Sequence, residues 1–210
     1  MYSKTINKQT KRVLDKIATT SLCNQFYLAG GTALAIELGH RKSIDLDWFS
    51  KKDFLNSEIK EILSKVGVFV LNSEADGTIH GVLDKVRVSF LRYKYNLLFP
   101  LISFENIQLA DERDIASMKI DAISSRGSKK DFIDLYFLLK KYSLFELIGF
   151  FGKKYSGIKY NRLHILKSLT YFSDANNEPM PKMIESLEWE EVKKHIYKET
   201  HILLVKNIKF

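Results

Sequence analysis

Two aspartates one residue apart, Asp45 and Asp47, are the strongest chemical signal in the chain. They lie in Ile44-Asp45-Leu46-Asp47-Trp48-Phe49, whose strict alternation predicts a strand with both carboxylates on one face. Residues i and i+2 of a strand stand about 6.6–6.8 Å apart, so both carboxylates can converge on one or two divalent cations. Aspartates that clamp such ions are the usual arrangement for in-line transfer at phosphorus. An oxygen-only donor set favours Mg2+ or Mn2+ over zinc. Taken alone, Asp-x-Asp is common, and the wet face of an edge strand is an ordinary place for it.

What precedes the pair changes that weighting. Phe26-Tyr27-Leu28-Ala29 reads as a strand, Gly30-Gly31 breaks it, Thr32 is placed to cap a helix, and Ala33 to Leu38 fits two helical turns ended by Gly39. A strand-Gly-Gly-helix turn lets backbone N–H groups approach a phosphate at the positive end of a helix. It is neither a G-x-G-x-x-G fingerprint nor a P-loop. Arg41 and Ser43, in the loop that leads to the aspartates, add a guanidinium and a hydroxyl suited to a triphosphate.

The elements that must position these residues are of two kinds. Residues ~4 to 20 have helical apolar spacing, as does the run from Leu55 to Val66. Val68 to Leu71, Thr78 to Leu83 and Val86 to Leu91 read as strands joined by hairpin turns at Ala75-Asp76-Gly77 and Asp84-Lys85. From Asp111 onward the pattern is helical: Ile115 to Ser124, Lys130 to Lys141, Leu144 to Tyr155, Asn161 to Phe172 and Trp189 to Leu204. Asn176 to Pro181 is the clearest loop. The expectation is an α+β chain with a mixed sheet flanked by helices over residues 1–110 and a helical half, packed on it, over 111–210. The aromatics of that half, Phe145, Phe150, Phe151, Tyr155, Tyr171 and Phe172, have the spacing of a core rather than of a base-stacking platform.

Composition bounds the partners. The 210 residues carry 33 Lys plus Arg against 25 Asp plus Glu, a formal charge of +8 that suits a polyanion. The surplus is densest in residues 151–210, with 11 basic and 7 acidic side chains. A single cysteine, Cys23, cannot form an internal disulfide and reads as a small core residue rather than a nucleophile. The N-terminus lacks the apolar run of a secretory signal, and no uncharged stretch reaches ~18 residues, so the expectation is a cytoplasmic protein without a membrane partner. His40 stands beside Arg41, and His80, His164, His195 and His201 have no metal-ligand spacing.

Two segments carry a family resemblance. "FYLAGGTALAIELGHRKSIDLDWFS" resembles the first motif of the AbiEii/AbiGii toxin family of nucleotidyltransferases, within the polymerase-β-like superfamily. "ASMKIDAISSRGSKKDFIDLYFLLKKY", Ala116 to Tyr142, resembles its second signature, and with the "EPMP" loop the likeness covers most of the chain. The resemblance implies a minimal nucleotidyltransferase sheet, with Gly30, Gly31 and Thr32 at the triphosphate, Asp45 and Asp47 as Mg2+ or Mn2+ ligands, and Lys119 reaching the nucleotide phosphates. Asp134 matches the downstream acidic residue, with Asp131, one helical turn away, as the alternative. It further implies an NTP substrate, RNA (tRNA-like) as acceptor, a cognate antitoxin and a toxin–antitoxin or phage-defence setting. A protein hydroxyl as acceptor, or a fold that binds nucleotide or nucleic acid without turnover, are the other readings. In polymerase-like sites a third carboxylate often occupies a neighbouring strand, where this chain has Ser89. Two aspartates plus water then hold the metal, or Asp131 or Asp134 completes the site, or catalysis is weak.

Overall fold

The structure, a computed structural model, describes residues 1–205. Its contacts divide the chain into two compact units, the first Met1–Asp111 and the second beginning at Glu112.

The first unit holds α1 (Lys8–Ala18), β1 (Tyr27–Ala29), α2 (Gly30–Leu38), β2 (Leu46–Ser50), α3 (Asn56–Val66), β3 (Phe69–Ala75), β4 (Thr78–Leu83), β5 (Val86–Arg92), β6 (Ile102–Phe104) and β7 (Ile107–Leu109). Its seven strands form one mixed sheet in the order β3-β4-β5-β2-β1-β7-β6. β2 runs antiparallel to β1 and parallel to β5, while β7 runs parallel to β1. The α+β architecture expected from the sequence is therefore present. β6 and β7, whose three-residue runs are too short to register as periodic patterns, extend the sheet beyond β1.

The alternation of β4 and β5 sets the two faces of this sheet. Ile79, Leu83, Val88 and Phe90 are at most 1% exposed, whereas His80 and Arg87 face solvent. α1 packs against β5, and α3 against β3 and β4; α1 buries Val13, Leu14 and Ile17, and α3 buries Ile59 and Leu63. Burying each such aliphatic side chain contributes roughly 1.5–3 kcal/mol. Trp48 of β2 is fully buried and stacks on Phe90 with the ring planes 9° apart. β3 is an exposed edge whose pairing with β4 shifts between Leu71 and Ser73, a bulge that interrupts the ladder.

Helix α2 differs from the sequence expectation at its start. It begins at Gly30 with Ala29 as N-cap and no side chain capping it, so Thr32 lies within the first turn instead of preceding the helix. The Thr32 hydroxyl is turned instead to tertiary partners, hydrogen-bonded to Ser43 Oγ and donating to the Asp45 carbonyl oxygen. Ala33, Leu34, Ala35 and Ile36 are all fully buried, so the helix is covered on every side and needs no polar stripe. Gly39 ends it in the left-handed region, φ 73°, as its position predicts.

The second unit is helical: α4 (Glu112–Ser125), α5 (Lys129–Leu139), α6 (Leu144–Lys154), α7 (Arg162–Ser168), α8 (Ser173–Asn176) and α9 (Trp189–Val205). α4 packs on α5 and α6, and α5 on α9. The segment expected as one helix from Asn161 to Phe172 ends at Ser168, and the short α8 follows. Of the aromatics expected in its core, Phe151 and Tyr155 are at most 2% exposed, while Phe145 and Tyr171 are 48% and 58% exposed. Phe145 lies in the first turn of α6 and Tyr171 in the link between α7 and α8. A buried ion pair ties α4 to α6, with Lys154 Nζ 2.7 Å from Asp114 Oδ1 and both side chains fully covered.

α6 starts with a full capping box: the Ser143 hydroxyl accepts from the Glu146 N–H while the Glu146 carboxylate accepts from the Ser143 N–H. Ser143→Ala leaves the Glu146 amide without that partner and is expected to cost about 1 kcal/mol. Thermal unfolding then falls by about 2–4 °C.

Candidate active site

Asp47 projects from β2 at the centre of the sheet, beside Ala29 of β1 and opposite Ser89 of β5. Asp45 precedes β2, which starts at Leu46, two residues later than the alternation predicts, and the Asp45 carbonyl is bonded by the Thr32 hydroxyl instead of by a neighbouring strand. Both aspartates are half-buried. Across the β1–α2 turn, Gly30 has φ 67°, a left-handed conformation suited to glycine. A Cβ at Gly30 would stand 3.3 Å from Asp47 Oδ2, so the missing side chain is what lets the carboxylate lie against the start of α2.

The loop expected to carry phosphate-binding groups folds over the same turn. A Cβ on Gly31 would come within 2.5 Å of Arg41 Nη2 and 3.7 Å of Ser43 Oγ, so this glycine admits the guanidinium. Arg41 is only 4% exposed, and its Nη1 donates to the Lys42 carbonyl at 3.1 Å. Ser43 is hydrogen-bonded to Thr32 at 2.7 Å, and its N–H donates to the Thr5 carbonyl at 3.0 Å. Gly30, Gly31, Thr32, Arg41, Ser43, Asp45 and Asp47 thus gather around the N-terminus of α2, where first-turn amides lack intrahelical acceptors.

In this setting the donor chemistry fits a hard divalent cation: the Asp47 carboxylate lies against a turn stripped of side chains, with Asp45 two residues before it on the way into β2. Among the described residues no group of three or more His, Cys, Asp or Glu side chains has metal-binding geometry. The residue at the position of a third carboxylate, Ser89, is instead hydrogen-bonded to His80 Nδ1 at 3.0 Å.

The second motif builds a buried charge cluster in the helical unit. Lys119 Nζ on α4 lies 2.8 Å from Asp131 Oδ1 and 2.6 Å from Asp134 Oδ2 on α5, with both aspartates fully buried. Arg126 Nε approaches Asp131 Oδ2 at 3.0 Å, and the Ser128 hydroxyl donates to the same oxygen at 2.7 Å. Burial pushes the Asp131 carboxyl up, but the Lys119 ammonium and the Arg126 guanidinium outweigh it and hold the pKa below the ordinary aspartate value. An amphipathic-helix reading puts Lys119 at the surface; here it is 5% exposed, because two carboxylates compensate its charge.

Ser128 and Glu178 are structural contributors that the motif reading passes over. Ser128-Lys129-Lys130-Asp131 has capping-box spacing, yet the serine bonds the Asp131 side chain rather than capping the helix. Glu178, from the "EPMP" loop, does the capping: its carboxylate accepts from the Lys129 N–H at 2.8 Å, at the positive end of α5. Cys23 is half-buried, and burial pushes its thiol up to about 11, which leaves it protonated and inert near neutrality. Among the described residues no helix is long and apolar enough to cross a membrane.

Comparison with known proteins places this arrangement. Residues 12–99, which include the whole glycine–aspartate site and β5, match the family profile described as "Nucleotidyl transferase AbiEii toxin, Type IV TA system". An uncharacterized protein of Aquifex aeolicus (strain VF5) is 40% identical over 201 residues, spanning 89% of this chain and 92% of that protein. In fold the chain is similar to MenT4, a nucleotidyltransferase toxin of Mycobacterium tuberculosis H37Rv, with TM-score 0.58 at 14% identity over 97% of this chain and 87% of that one. JHP933 from Helicobacter pylori gives TM-score 0.54 at 17% identity over 96% and 94% of the two chains. Through the match over residues 12–99, the chain belongs to the AbiEii nucleotidyl transferase toxin family.

Proposed function

We propose that the protein is a metal-dependent nucleotidyltransferase that moves NMP from an NTP to an acceptor hydroxyl. RNA, tRNA-like in form, is the acceptor, and a cognate antitoxin is the partner in a toxin–antitoxin or phage-defence setting. The observation that carries the reading is the seating of the Asp47 carboxylate against the uncapped, side-chain-free start of α2, with Arg41 admitted by Gly31.

Asp45 and Asp47 would hold Mg2+ or Mn2+, which supplies charge neutralisation at the transferring phosphoryl group. The first-turn amides of α2 at Gly30, Gly31 and Thr32 donate to phosphate oxygens, and Arg41 and Ser43 add a cation and a hydroxyl. In the helical unit Lys119 is the candidate phosphate-directed cation, with Asp131 and Asp134 as the acids that fix its ammonium. Positioning and electrostatics account for the rate. The +8 charge supports an RNA partner through release of counterions.

Incubating the purified protein with Mg2+, α-labelled NTPs and total RNA tests the reading. Label on RNA is the expected result; label on protein alone would move the acceptor to a protein hydroxyl, and no label on either would end the proposal. A narrower prediction concerns Gly31→Ala, which fills the space of the Arg41 guanidinium. Loss of one charge-assisted contact, about 1.5–3 kcal/mol, weakens NTP binding by roughly 10- to 100-fold. Calorimetric titration with NTP measures it.

A further inference from the structure

Transfer to a hydroxyl requires something to take the hydroxyl proton, and neither Asp45 nor Asp47 is available for that while holding a metal. The sheet register supplies a different group. Asp47 on β2 is paired with Ser89 on β5, and Ser89 is paired with His80 on β4, so the three form one row across adjacent strands and share a face. Strands lie about 4.8 Å apart. The imidazole of His80 leans along this row toward β2, because its Nδ1 is 3.0 Å from Ser89 Oγ. His80 is exposed and Ser89 half-exposed, so an incoming acceptor can reach both.

Resting on the transferase reading above, we infer that His80 is the proton acceptor of the reaction and that Ser89 is the residue that positions it. With Nδ1–H donated to the Ser89 hydroxyl oxygen, Nε2 presents its lone pair to the acceptor. The acceptor O–H proton passes to Nε2 as the acceptor oxygen forms its bond to the α-phosphorus and the bond from that phosphorus to the pyrophosphate oxygen breaks. The imidazolium then releases its proton to solvent, and pyrophosphate leaves. A serine in the place of a third carboxylate is on this view half of a serine–histidine unit that replaces the acid.

The test compares the full chain with His80→Gln, His80→Gly, Ser89→Ala and Ser89→Thr, using labelled NTPs and total RNA. General-base catalysis contributes typically 10²- to 10⁴-fold. His80→Gln is therefore expected to lose about 100-fold or more in kcat with the KM for NTP, the calorimetric NTP affinity and the melting temperature unchanged. Added imidazole restores transfer to His80→Gly, and Ser89→Thr, which keeps the hydroxyl, retains most of the activity that Ser89→Ala loses. Activity of His80→Gln within a few-fold of the parent, or a loss accompanied by weakened NTP binding and no rescue by imidazole, overturns the assignment and leaves the transferase reading standing. An unaltered protein that transfers no label overturns both.

Discussion

Replacing Asp45 and Asp47 together by asparagine is expected to abolish the proposed NMP transfer while the fold survives. Asparagine keeps the shape of each side chain and removes its charge, so the effect isolates the two carboxylates as cation ligands. Removing one preorganised electrostatic group from a site of this kind costs about 10²- to 10³-fold in rate, and losing both places the double variant beyond the lower end of that range. Neither carboxylate is fully buried, so the change in stability is small by comparison, within about 1 kcal/mol. The pair of measurements is label transfer to RNA and thermal unfolding. Equal transfer by the double variant would remove the aspartates from the mechanism, and unfolding of the variant would make them structural.

The second large effect lies in the helical unit, where Asp131→Asn strips the Lys119 and Arg126 cations of a shared, fully buried counter-charge. Breaking a buried ion pair by removal of one partner costs about 3–5 kcal/mol, because the remaining charge stays desolvated. For a chain of this size that corresponds to a fall in melting temperature on the order of 10 °C. A variant that melts within a degree of the parent would show that Asp134 alone satisfies Lys119. The same cluster makes the protein sensitive to acid. The folded-state pKa of Asp131 lies below that of the unfolded chain, so its stabilising contribution is complete above the ordinary aspartate value of about 3.9. It drains away as the pH falls through the folded-state value, and Asp131→Asn removes this part of the acid dependence. Denaturant titrations between pH 3 and pH 7, spanning the ordinary carboxylate range, read the difference.

Much of this arrangement was legible in residue order. The hairpins β3–β4 and β4–β5 announced themselves through Ala75-Asp76-Gly77 and Asp84-Lys85, whose Asp84 and Lys85 take the positive φ values of 45° and 69° that tight hairpins demand. The helices of the second unit followed from apolar spacing, except where α7 stops at Ser168. Even the His80–Ser89 contact was present in principle, since the two residues are equidistant from the Asp84-Lys85 turn and a two-residue hairpin pairs such positions. A reading by metal-ligand spacing along the chain passes over it, because partners across a hairpin have no fixed linear signature.

Local chemistry by itself determined the types of element, their order, the glycine turn and the presence of two aspartates beside it. Each depends on neighbours within a few residues, through turn conformation and side-chain periodicity. Tertiary structure alone decided which groups meet. The parallel pairing of β2 with β5 puts Ser89, and not an acid, opposite Asp47, and the same register buries the neighbouring Trp48 against Phe90 on the other face. The start of α2 at Gly30, with Ala29 and not Thr32 as N-cap, goes with where the Thr32 hydroxyl finds Ser43 and Asp45. Lys119 became a buried cation because α5 packs on α4 with two aspartates on the contact face, and only the cost of desolvating a charge without a partner makes that pairing obligatory.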